Sequence, residues 1–210
     1  PDADRFDFAA STFNGRLRTY LNNNMSISGN RSLFLDAAQF TGTANTNEIV
    51  ATFNLNSYIG TPGLRFDFRY RNQGQIKQGN NFVWIRGRDD QPWIQAFDIS
   101  TNQGELGEIR QGWINVEEVL TAQGQPLSTS FQVRVDQTGS TSSNNGTYMP
   151  GVPDLDDGFS FDDFRLSLAA NDLTVTSLLS PSTFNCSSGA AAVSIRISNL
   201  SANSFSNVPV

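Results

Sequence analysis

The segment GLRFDFRYRNQG alternates without a break. Leu64, Phe66, Phe68 and Tyr70 share one parity, and Arg65, Asp67, Arg69 and Arg71 share the other. A period of two is that of a β-strand with one face in a core and one polar face. FQVRVDQTG repeats the pattern, with Phe131, Val133 and Val135 inward and Gln132, Arg134 and Asp136 outward. EIVATFNLNSY places Ile49, Phe53 and Leu55 on one face. NNFVWIRGR and PWIQAFDIS predict a hairpin around RDDQP, where Asp89, Asp90 and Pro92 supply turn chemistry. SLFLDAA and RLRTYL predict shorter strands. Only INVEEVLTAQG has helical spacing: Val116, Val119 and Leu120 lie three and four apart, and Gly124 offers a C-terminal stop.

Many antiparallel strands and one short helix predict an all-β fold, an antiparallel jelly-roll sandwich. TGSTSSNNGTYMPGVPDLDDG, residues 138–158, is too long and polar for a hairpin turn and predicts a surface loop. After LSLAA the character changes. Leu173 and Val175 mark one strand, and Val193, Ile195 and Ile197 mark another, the pattern of the first strands of an immunoglobulin-like sandwich. The expected organisation is a jelly-roll domain over 1–169 and the N-terminal, truncated part of an Ig-like domain over 170–210.

DDGFSFDDFRLSL breaks the alternation. Phe159 and Phe161 have one parity, whereas Phe164, Leu166 and Leu168 have the other. A regular strand cannot turn both sets to the same face, and the phase changes at Asp162-Asp163. A β-bulge there would return all five apolar residues to the core and aim a carboxylate at a neighbouring loop. Adjacent carboxylates beside aromatic rings need compensation from a cation or from backbone amides that they cap, and the remaining alternative is a catalytic pair that exploits the strain.

Composition narrows the function. The net charge is −6, which argues against a nucleic-acid partner, because phosphate binding needs a basic surface. No apolar run is long enough to insert in a membrane. There is no histidine, which removes Ser-His-Asp and Cys-His catalysis and most zinc sites. The single cysteine, Cys186, forms no intrachain disulfide.

SGNRSLFLDAA, LRFDFRY and DDGFSFDDFRLSL together resemble the MAM-like jelly-roll modules of secreted Bacteroidetes proteins, in which a late DGF-x-FDD strand closes the domain. The tail NDLTVTSLLSP…VSIRISNLSANSFSNVPV resembles the Ig-like domain that follows in such proteins, many exported by type IX secretion. The resemblance implies a secreted or cell-surface location and a structural calcium. Asp162 matches the characteristic acid of the closing motif and Asp163 adjoins it. Asp7 and Asp36 are the expected further carboxylates, with Asp156 and Asp157 able to join from the loop.

The resemblance further implies a non-catalytic adhesion or accessory module, binding a cell-surface glycan or protein beside neighbouring domains of a larger protein. The alternative is a structural spacer beside a protease or glycoside hydrolase domain. The ligand candidates are Trp93, Tyr148, Arg86 and Arg88, with the polar row Arg65, Arg69 and Arg71. Trp84, Trp93 and Trp113 are nonetheless expected first as core residues, and the arginine row as cross-strand partners of Asp67 and Asp136. Glu105 and Glu108 of GELGEIRQG are a carboxylate pair to check for glycoside hydrolysis, but their Gly-rich setting predicts a solvated turn, and no enzyme is expected.

Overall fold

The computed structural model describes residues 6–11, 15–20, 26–37, 45–74, 81–139, 158–168, 173–180 and 192–199. Tyr148, Asp156, Asp157 and Cys186 lie outside them. The strands are β1 (Phe6–Ala10), β2 (Gly15–Tyr20), β3 (Ser32–Ala37), β4 (Asn45–Phe53), β5 (Leu64–Asn72), β6 (Phe82–Arg86), β7 (Ile94–Asp98), β8 (Ile109–Asn115), β9 (Phe131–Gly139), β10 (Phe159–Leu168), β11 (Leu173–Ser180) and β12 (Ser194–Asn199). Two antiparallel five-stranded sheets face each other, ordered β1-β4-β9-β6-β7 and β2-β3-β10-β5-β8. β11 and β12 form a separate two-stranded sheet. Among the described residues no helix is long and apolar enough to cross a membrane.

The alternation does what it predicts. Leu64, Phe66, Phe68 and Tyr70 from β5 meet Phe131, Val133 and Val135 from β9 in one buried core. Burying a large apolar side chain stabilises the fold by roughly 1.5–3 kcal/mol. Phe68 meets Phe97 of the opposite sheet edge-on, with ring centres 5.3 Å apart. The helix α1 (Val116–Ala122) starts where the Asn115 side chain accepts the Glu118 amide, buries Val116 and Leu120, and ends before Gly124 at φ 65°.

The bulge falls where the phase slip requires it. Asp162 faces Arg69 and Arg165 faces Asp67, so Asp163 and Phe164 together oppose Phe68 alone. All five apolar residues of β10 regain the inward parity, but not all are covered. Phe159 and Phe161 are fully buried, whereas Phe164 is 41% and Leu168 46% exposed. The cause is pairing among the described residues: β3 accompanies β10 from Phe159 to Phe161, and beyond the bulge only β5 of these strands pairs with it. An apolar cleft of about 190 Å³ opens there between the sheets, lined by Phe6, Ile49, Phe53, Phe66, Val135 and Phe164.

Candidate functional site

The three tryptophans are not core residues, contrary to the first expectation. On β6, Val83 and Ile85 take the buried parity, so Trp84 and Arg86 project from the outer face of the first sheet. Register places Arg134 of β9 opposite Trp84, and Gln132 opposite Arg86. Trp93, entering β7, completes a continuous layer. The guanidinium carbon of Arg134 lies 4.9 Å from the centre of the Trp84 ring and 4.8 Å from that of Trp93, and Arg86 lies 4.3 Å from Trp93. Cation–π contacts of this kind hold flat groups parallel on the sheet surface.

Hydrogen bonds fix the layer from beneath. Arg86 Nε donates to Gln132 Oε1 at 2.7 Å, and Gln132 Nε2 donates to Thr52 Oγ1 at 2.9 Å. Arg134 Nε stands 2.9 Å from Asp136 Oδ1 and Arg134 Nη1 4.0 Å from Glu48 Oε1. Gln132 and Asp136 have the outer parity and are still buried, Asp136 to 7% exposure, because the indoles and guanidinia roof them. Burial raises the Asp136 carboxyl to about 6; Arg134 opposes the shift and Glu48 adds to it. Burial also lowers Arg86, against the pull of Asp89.

Of the sequence candidates, Trp93 and Arg86 therefore belong to one surface. Arg88 sits apart at the hairpin turn, exposed and paired with Asp90. Asp136 pairs with Arg134 rather than with the β5 arginines. Within that row Arg65 pairs with Asp67 at 3.0 Å, and Arg69 with Asp163 at 3.3 Å. Glu108 accepts the Glu105 amide at 2.8 Å and pairs with Arg110 at 3.0 Å, so the two glutamates form a turn, not a facing carboxylate pair.

The four expected calcium ligands are not assembled. Asp7 stands on β1 in the first sheet. Asp36 lies on β3 beyond Leu35, which faces Phe159, and so away from Asp162; its carboxylate takes both arms of Arg16 at 2.7 Å. Asp162 Oδ2 accepts the Ile27 and Ser28 amides at 3.2 and 2.9 Å, and Oδ1 accepts the Asp163 amide at 2.9 Å. Asp163 bonds Ser28 Oγ and Arg69. Asp162 already accepts three backbone amides, and no three carboxylates gather among the described residues. The described donor set does not fit calcium; it ties β10 to the loop before β3.

No family model matches the chain, and no curated protein matches it. Solved structures with a similar arrangement of strands include the family 30 carbohydrate-binding module of a cellulosomal cellulase of Clostridium thermocellum. It is 10% identical at a TM-score of 0.47, over 77% of this chain and 90% of that one. TmCBM61, in complex with β-1,4-galactotriose, is 9% identical at 0.42, over 78% of this chain and 88% of that one. The K1 cleaved adhesin domain of Lys-gingipain from Porphyromonas gingivalis is 9% identical at 0.44, over 78% and 90%. At these identities no side-chain role is carried over from them.

Proposed function

We propose that the chain is a non-catalytic, extracellular binding module of a larger secreted bacterial protein, and that the outer face around Trp84 and Trp93 takes a glycan. The observation behind this reading is the placement of two indoles and two guanidinia together on an open sheet face. A sugar offers an apolar C–H face and a rim of hydroxyls. The indoles suit the first, while Arg86, Arg134 and the exposed Gln95, opposite Trp84, suit the second. In this reading residues 1–169 carry the binding domain, and 170–210 begin an Ig-like domain that spaces it from its neighbours.

The spacer reading has an observation of its own: the indoles already stack on arginine, which is a stable outer layer without any ligand. Affinity electrophoresis through gels holding plant and bacterial polysaccharides separates the two. Retardation by at least one polysaccharide, lost in Trp84→Ala and Trp93→Ala variants that keep their circular dichroism, supports the binding module. No retardation across the panel leaves the spacer.

A further inference from the structure

Arg86 and Arg134 share the outer face of the first sheet but are held differently. Arg134 is set between two acids, 2.9 Å from Asp136 and 4.0 Å from Glu48. Arg86, half-buried at the end of β6, leans on uncharged groups. Its Nε donates to Gln132 Oε1 at 2.7 Å and its Nη1 to the Gln91 carbonyl at 3.2 Å, and its guanidinium carbon lies 4.3 Å from the centre of the Trp93 ring. Among the described residues no carboxylate forms an ion pair with it.

The acids nearby are already engaged. Asp90 pairs with Arg88, and Asp89 Oδ1 accepts the Ser130 hydroxyl at 3.0 Å. Asp136 and Glu48 face Arg134. Burial lowers the Arg86 guanidinium from its ordinary value; Asp89 opposes the shift and Arg134 adds to it. A charge in such a place is stabilised by an anion of its own.

Donor capacity also remains, and it is reachable. Arg86 Nη2 donates to no described group of the protein, and it is not one of the polar atoms sealed from solvent. With Nε and Nη1 pinned, the free donor sits in a fixed place beside Trp93. The partner that suits a guanidinium donor of this kind best is a carboxylate.

We infer that the Trp84–Trp93 face takes an acidic glycan, one that carries uronate residues, with a uronate carboxylate accepting from Arg86 Nη2 and the sugar lying on the adjoining indole layer. This rests on the reading of that face as a glycan site and adds the class of sugar. General attraction is not the source. The chain carries a net charge of −6, so a polyanion is repelled at long range and gains only where its carboxylate meets Arg86.

The test is affinity electrophoresis of the full chain through gels holding polygalacturonate, alginate, highly methyl-esterified polygalacturonate, dextran sulfate or a panel of neutral polysaccharides. The expected result is retardation by polygalacturonate or alginate, with the free-acid polymer about tenfold or more tighter than its methyl ester, the size of one charge-assisted hydrogen bond. Arg86→Gln should bring acid and ester level, whereas Arg88→Gln, at the hairpin turn, should keep the preference. Equal retardation by acid and ester overturns the inference without any variant. So does dextran sulfate retarding as strongly as the uronate polymers, or a preference that survives Arg86→Gln. Retardation by neutral polysaccharides with none by either uronate polymer overturns it and leaves the glycan-site reading standing. No retardation by any polymer removes that reading and this inference together.

Discussion

The guanidinium of Arg134 lies 4.8 Å from the centre of the Trp93 ring, and the same group stands 2.9 Å from Asp136. One side chain thus roofs a buried carboxylate and props an indole. Arg134→Ala removes two cation–π contacts and leaves Asp136 without its nearest cation. A loss of about 1–3 kcal/mol is expected in urea unfolding. Arg134→Lys should recover only part of it, because an ammonium cannot lie flat between two rings.

Asp136 also sets a pH dependence. Its carboxyl is raised to about 6 in the fold, above the unfolded value of 3.8. The folded state therefore holds the proton more tightly, and this group's contribution to stability falls as pH rises from about 4 through about 6. Asp136→Asn should abolish that slope. Melting curves of wild type and variant at pH 4, 5, 6 and 7 should diverge as pH rises, the variant gaining relative to wild type.

Asp162 closes three backbone amides, those of Ile27, Ser28 and Asp163. Asp162→Ala should cost about 1–2 kcal/mol, as does the loss of a capping carboxylate elsewhere. The melting temperature should be the same in calcium and in chelator, since the carboxylate is already satisfied by protons. At the neighbouring position, Asp163→Val should destabilise more than Asp163→Asn, because a β-branched residue tolerates φ 53° poorly.

Gly112 faces Phe68 in the β5–β8 register, and a Cβ there would stand 2.2 Å from the ring Cζ. Gly112→Ala should cost about 1–3 kcal/mol by overpacking. Phe68→Leu in the same chain should return part of that loss, giving a coupling well outside additivity in a double-mutant cycle.

The sandwich was legible where one parity is apolar and the other charged, as in LRFDFRY of β5. The bulge was legible too, because five apolar residues on two parities leave only one repair. FVWIR of β6 was not: Phe82 and Trp84 compete with Val83 and Ile85, so periodicity cannot say which pair is inside. Shape decides it, since the branched residues fill the core while the indole stacks on Arg134. That arginine was marked as outward facing but not as part of a site, because its relation to Trp84 exists only in the β6–β9 register. β8 was missed behind the glutamate turn: its inward positions are Gly112 and Ile114, while Trp113 points out, an inversion of the usual signal. The four-carboxylate cluster failed for the same reason as Arg134 was missed, since sequence placed the acids in strands but not in sheets.

The most direct measurement follows the Trp84 and Trp93 indole N–H signals while the full chain is titrated with the polysaccharide that retards it most. The account predicts that both signals shift along one saturable curve and that Trp93→Ala abolishes binding without changing the amide spectrum away from the first sheet. Binding that leaves both indoles unmoved, or that survives Trp93→Ala, would contradict it.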